Sequence, residues 1–381
     1  MERLYITNAQ LVLPDQIIPR GTVVVQGGRI AAIAKGKLAS RCARGINARG
    51  YFLSPGFIDL HIHGDIAAIS RREIAGGTTS FLATLHPGAP KALLNNIRQT
   101  QAALAELKGA RCLGIRLEGP FLNRDFCGAL PRKLLRAPDI EEAQRIIQAA
   151  RGSLKILILA PELKGTLRLI RLLNRHNIVS SIGHTGATYA QTETAIGAGA
   201  THATHTFNRM RAFDHCDPGA LGAVLTDERV SCEVIADGIH VHPVALRLLL
   251  ACKGLNQVML VTDSTAAQKY PAKKRAGLVF RLKKGTLYGT ALKLNQALKN
   301  AVKFLDITLP EAVRLVTLNP AKVLKIDRRK GSLAVGKDAD LVIFDKNFNV
   351  QLTLVEGKVV YVRNSRVYWR KAGPAHTLKW T

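Results

Sequence analysis

Pro55-Gly56-Phe57-Ile58-Asp59-Leu60-His61-Ile62-His63-Gly64 is a largely apolar run that closes on two histidines and a glycine. Side chains alternate across a β-strand, so residues two apart share a face. An extended run here points the imidazoles of His61 and His63 the same way, close enough to share one metal ion. The plain alternative is a half-buried strand that happens to carry two histidines. What favours a metal is that further ligand types recur at the ends of later apolar runs.

Outward from that run, strand and helix alternate. Cys112 to Leu117 reads as a strand, and Ile140 to Ala150 as a helix capped by Asp139 with Glu142 three residues on. Leu154 to Ala160, Ile178 to Ile182, Val230 to Ile235 and Val258 to Val261 read as strands. Leu167 to Leu173, Thr188 to Ile196 and Pro243 to Ala251 read as helices between and after them. Repeated β-α units with apolar strands imply a parallel sheet covered by helices. Their number, and the lack of a glycine-rich dinucleotide fingerprint, predict a TIM-like (β/α)8 barrel over residues 54–329. Short β-type runs at both chain ends (Leu4 to Ile6, Leu11 to Leu13, Thr22 to Gln26, Ile30 to Ile33; Leu341 to Phe344, Val350 to Val355, Lys358 to Val362) are separated by turn signals. Residues 1–53 and 330–381 are therefore expected to pair into one small β-sandwich domain.

With 381 residues, 47% hydrophobic and 22% charged, the chain can bury a large core. Its net charge of +28 comes from lysines and arginines scattered through the helical stretches. No RNA-binding aromatic signature or zinc-finger spacing accompanies them, so the charge reads as a basic solvated surface and not as a nucleic-acid module. Six cysteines (Cys42, Cys112, Cys127, Cys216, Cys232 and Cys252) are widely spaced without a C-x-x-C pair, which suits a reducing compartment. The N-terminus lacks the apolar segment of a signal peptide, and no stretch approaches the roughly twenty apolar residues that span a bilayer. A cytoplasmic protein with no membrane partner is expected.

In a barrel the chemistry sits at the C-terminal ends of the strands. Those ends carry His61, His63, Glu118, His184, His205, His240 and Asp263. Imidazoles with a carboxylate suit zinc or another divalent transition metal with one position left for water. Such an ion lowers the pKa of water to about 7 and polarises a carbonyl oxygen. Asp263, after Val258-Met259-Leu260-Val261-Thr262, is the candidate to take the water's proton and pass it to a leaving nitrogen. The expected reaction is metal-assisted hydrolysis of an amide or related bond.

These residues carry a family resemblance. PGFIDLHIHG at 55–64, GTTSFLAT at 77–84, LEGPFLN at 117–123, GHTGAT at 183–188, THTFNRM at 204–210, DPGALGAVL at 217–225, IADGIHVHP at 235–243, VTDS at 261–264, NPAKVL at 319–324 and KGSLAVGKDADLVIFD at 330–345 resemble the amidohydrolase superfamily. Within it, LEGPFLN and DGIHVHP resemble the N-acetylglucosamine-6-phosphate deacetylase branch. The resemblance implies metal binding by Glu118, His184 and His205, with His61 and His63 at a second metal position, so one or two ions, zinc foremost. It implies Asp263 as general base and then acid, and Asn208, the backbone after it and His240 as the groups that hold an amino sugar and its phosphate. It also implies a homodimer in which the neighbouring subunit completes the phosphate site.

Three departures stand out. The family pattern H-R-E-P-G is His215-Cys216-Asp217-Pro218-Gly219 here, so Cys216 replaces a phosphate-binding arginine. The pattern G-A-H is Gly128-Ala129-Leu130, so Leu130 replaces a histidine that faces the reacting amide. The segment from His63 to Gly77 is short and lacks a Gly- and Asp-rich loop. Arg209, where the family has alanine, and Arg211 offer cationic charge from another direction. The expected activity is removal of the acetyl group from an N-acetylated amino sugar, N-acetylglucosamine 6-phosphate foremost. A different N-acyl amine or an unphosphorylated sugar is the second reading, and a non-catalytic binding protein on this scaffold is the third.

Overall fold

The computed structural model describes residues 3–36, 44–267, 274–282, 285–363 and 368–370. Eight strands pair in sequence order and all in parallel: Phe57–Gly64, Thr78–Leu85, Arg111–Leu117, Leu154–Leu159, Val179–Ile182, His202–Ala203, Ser231–Val234 and Val258–Leu260. The sheet curls, and the chain leaving the eighth strand meets the first, where Asp263 N donates to His61 O at 2.9 Å. Ser264–Ala267 then pairs with the free edge of Phe57–Gly64, and Leu287–Thr290, Val279–Arg281 and Lys274–Ala276 extend that edge.

The strands are apolar because both faces are covered. Leu82, Ile115, Leu157, Val234 and Leu260 join Ile97, Ile146, Leu169 and Leu298 of the surrounding helices in one continuous core. Helix starts follow local chemistry. Asp139 accepts from Glu142 N at 2.8 Å, as its position predicts, and Thr188 and Thr308 close reciprocal capping boxes with Gln191 and Glu311. The short segment after His63 is taken up by the helix Ile66–Glu73, with Asp65 as its cap.

Both chain ends form a second sheet of nine strands: seven run in the order Lys358–Val362, Val350–Val355, Leu341–Phe344, Phe52–Pro55, Arg3–Val12, Ile17–Gln26, Arg29–Lys35, and Arg44–Asn47 with Tyr368–Arg370 lies off that path. These strands form one hydrogen-bonded sheet that forks and encloses a core of its own. One edge of Arg3–Val12 is shared between Arg44–Asn47, opposite Leu4 to Thr7, and Phe52–Pro55, opposite Gln10 and Leu11. The runs at Leu4 to Ile6 and Leu11 to Leu13 belong to one strand, with register shifts between Ile6 and Leu11. Alternation divides Leu341–Phe344 between two cores: Leu341 and Ile343 pack with Ile6, Leu11 and Leu53, whereas Val342 and Phe344 enter the large core against Phe57.

No helix among the described residues is long and apolar enough to cross a membrane. Cys112, Cys127, Cys216, Cys232 and Cys252 are free; Cys42 and the tail beyond residue 370 lie outside the described residues.

Candidate active site

Six of the seven strand-end residues, His240 aside, meet within a few ångströms at the C-terminal face of the curled sheet. Glu118 Oε1 lies 3.0 Å from His184 Nε2 and 3.4 Å from His205 Nε2. His61 Nε2 and His63 Nε2 are 3.1 Å apart, and Asp263 Oδ1 lies 3.5 Å and 3.2 Å from them. His63 Nε2 is also 3.3 Å from Glu118 Oε2, so the carboxylate joins the two groups. Backbone shape contributes: His184 (φ 49°), His205 (φ 27°) and Asp263 (φ 46°) are left-handed, which turns each side chain inward as its strand ends.

The arrangement asks for a cation. His184 Nδ1 donates to Phe126 O at 2.8 Å, which fixes the ring with Nε2 turned toward Glu118 Oε1, as the second nitrogen of a metal-binding imidazole is commonly fixed. Donors held about 2.0–2.1 Å from a tetrahedral ion lie roughly 3.3 Å from one another, which is the spacing seen in both groups. Glu118 with His184 and His205, and Asp263 with His61 and His63, thus fit divalent ions. His61 Nδ1, His63 Nδ1 and His205 Nδ1 lack hydrogen-bond partners.

Charge in this pocket is strongly coupled. Burial alone would raise Glu118, but His184, His205 and His61 hold it well below the usual carboxylate range. Burial opposes ionisation of Asp263 too, yet the charge of His61 and the hydrogen bond of His63 bring it down to about 2. Against burial and the Arg116 charge, Asp263, Glu118 and Glu233 lift His61 to about 9, whereas burial and His86 push His63 down to about 4. Beneath the floor, Arg116 is fully buried in a pair with Glu233, also donating to Thr204 Oγ1 at 2.9 Å and Leu60 O at 3.1 Å.

A cavity of about 280 Å³ opens over these groups. Leu130, Asn208, Arg209 and His240 line it with His63, Glu118, His184, His205 and Asp263. Asn208 lines the cavity, and its Nδ2 is buried without a hydrogen-bond partner. His240 is oriented by Asp237, whose carboxylate takes Nδ1 at 2.6 Å and the backbone N at 2.7 Å. Cys216 is exposed and does not line the cavity. His86, unread in the sequence, does line it: its ring stacks on His63 with centroids 4.2 Å apart, and Nδ1 lies 3.6 Å from Glu118 Oε2. The run Leu85-His86-Pro87-Gly88, a histidine between a strand and a turn, was the available signal. Thr265, Leu287 and Tyr288, from the added edge strands, were also unforeseen. A larger cavity of about 660 Å³ lies at the opposite strand ends, among residues such as Lys155, Thr201 and Gln257; no His, Cys, Asp or Glu lines it, so it offers no such chemistry.

Comparison with known proteins agrees with this geometry. The amidohydrolase family matches residues 52–360. The chain is 36% identical over 390 residues to the N-acetylglucosamine-6-phosphate deacetylase of Bacillus subtilis, covering 95% of this chain and 98% of that one. It is 33% identical to the N-acetylgalactosamine-6-phosphate deacetylase of Escherichia coli, over 81% of this chain and 87% of that one. Among solved structures, a variant of the Mycobacterium smegmatis N-acetyl-D-glucosamine-6-phosphate deacetylase in complex with N-acetyl-D-glucosamine-6-phosphate superposes with a TM-score of 0.84 at 30% identity, over 94% of this chain and 100% of that one.

Proposed function

The chain belongs to the amidohydrolase family, and from that premise we propose that it hydrolyses the acetamide of N-acetylglucosamine 6-phosphate to glucosamine 6-phosphate and acetate. The observation that carries this reading is the pair of adjoining donor clusters at the strand ends, Glu118 with His184 and His205 and Asp263 with His61 and His63, each compact enough to hold one ion. Glu118, His184 and His205 would hold one divalent ion, zinc foremost, and His61 and His63 with Asp263 a second. When bound, such an ion supplies a Lewis acid and lowers the pKa of water.

The remaining work falls to side chains. Asp263, ionised well below neutral pH and 17% exposed toward the cavity, takes the proton of the attacking water and then delivers it to the departing amine nitrogen. Asn208 Nδ2 and the His240 ring, held through Nδ1 by Asp237, orient the sugar. Leu130 puts an apolar surface where the family pattern has an imidazole, and this favours one second reading, a different N-acyl group or an unphosphorylated sugar.

We read the eight-strand array as a (β/α)8 barrel over residues 54–329, closed where Asp263 N meets His61 O, with 1–53 and 330–381 as a separate small domain. A cytoplasmic homodimer is the assembly proposed with it. The test is acetate release from N-acetylglucosamine 6-phosphate with zinc added and with metal stripped. Metal-dependent release that falls about 10²- to 10⁴-fold in Asp263→Asn is expected. Release unaffected by that substitution would overturn the assignment, and equal turnover of a non-sugar N-acetyl amine would favour the second reading.

A further inference from the structure

The cavity's electrostatics single out one residue. Among the described lining residues Arg209 is the only Lys or Arg, and its side chain makes no hydrogen bond or ion pair with the described residues. Arg211, the other nearby cation, is already committed to Asp217, 2.9 Å away. Cys216, on the same segment, faces solvent outside the cavity. An unspent guanidinium over a site whose buried end carries Glu118 and Asp263 is suited to the anionic end of a substrate and not to the reacting amide.

Its position is built. Arg209 O accepts from Thr185 N at 3.0 Å, and Arg211 N donates to Thr185 O at 3.0 Å, which ties the Arg209 backbone to the residue after His184. Asn208 N donates to His205 O at 2.9 Å, fixing the same loop to another metal-site residue. Arg209 itself is left-handed (φ 56°), and its side chain crosses Gly128, where an added Cβ would fall 2.5 Å from Arg209 Nε. The absence of a side chain at Gly128 is what lets the guanidinium lie there.

Resting on the function proposed above, we propose that Arg209 reads the 6-phosphate and determines the preference for phosphorylated over free amino sugar, a cation supplied by the same subunit that holds the metal ligands. A planar guanidinium donates two parallel hydrogen bonds to phosphate oxygens; a lysine keeps the charge and loses the fork.

The test compares kcat/KM for N-acetylglucosamine 6-phosphate and N-acetylglucosamine in the metal-loaded wild type, Arg209→Ala, Arg209→Lys and Arg211→Ala. The wild-type preference for the phosphorylated sugar is expected to fall about 10- to 100-fold in Arg209→Ala, through KM for that sugar more than through kcat. Arg209→Lys should lie between, and Arg211→Ala should match the wild type. A wild type that discriminates while Arg209→Ala discriminates equally would overturn the role of Arg209 and leave the function standing. A wild type that releases no acetate would overturn the function. Titration of inorganic phosphate by calorimetry then reads the contact without turnover: weaker binding in Arg209→Ala supports it, and equal binding overturns it.

Discussion

Arg116 is the largest fully buried side chain among the described residues, and Glu233 beside it is equally inaccessible. Removing one member of such a pair strands a charge in the interior, which typically costs about 3–5 kcal/mol, whereas replacing both by apolar groups is often near neutral. Urea unfolding of Arg116→Met should therefore show a loss of that size, and Arg116→Met with Glu233→Leu a smaller one; equal losses would mean that packing, not charge, is at stake. The strand ends were legible one residue at a time because an apolar run followed by histidine or a carboxylate and a turn is a local pattern, and it brought His61, His63, Glu118, His184, His205 and Asp263 together. His86 followed the same pattern and was passed over. Arg116 and Glu233 look like polar interruptions of strands until Leu60, Thr204 and His61 close around them. Cys216 is exposed in this chain, and Asp214 accepts from its backbone N at 2.8 Å.

Elements with a strong apolar period were readable to within a residue or two, from Leu154–Leu159 to Pro243–Lys253. The forked sheet was not, because hydrogen-bond register between chain ends leaves no local pattern. Nor was the arm Ser264–Ala267 with Leu287–Thr290, whose strands are only four residues long and follow the edge they join. One element boundary explains the glycine of the opening run. Gly56 lies between Phe52–Pro55 of one sheet and Phe57–Gly64 of the other, and an added Cβ would meet Thr79 Oγ1 at 2.1 Å and Thr79 Cβ at 2.7 Å. A branched side chain on a strand cannot swing away, so Gly56→Ala should lose about 1–3 kcal/mol by chemical denaturation. Thr79→Ala in that background should recover part of it, and no recovery would place the strain elsewhere.

Across the whole molecule the candidate donors end or follow the first, third, fifth, sixth and eighth strands of the curled sheet, so ions held by them would tie those strands together. A ligand that binds only the folded chain stabilises it by mass action, about 4 kcal/mol at a thousandfold excess over Kd. Chelator-treated protein should unfold several degrees below zinc-loaded protein in a thermal scan, with recovery on readdition; superimposable scans would exclude a cross-linking ion. The contact of Asp263 N with His61 O also sets an order in time. Those residues are about two hundred positions apart, and contacts of such span are slow because the intervening chain must be ordered first. Asp263 and the first histidine pair are therefore brought together late, and a nascent or partly folded chain holds the histidines and carboxylates but not their cluster.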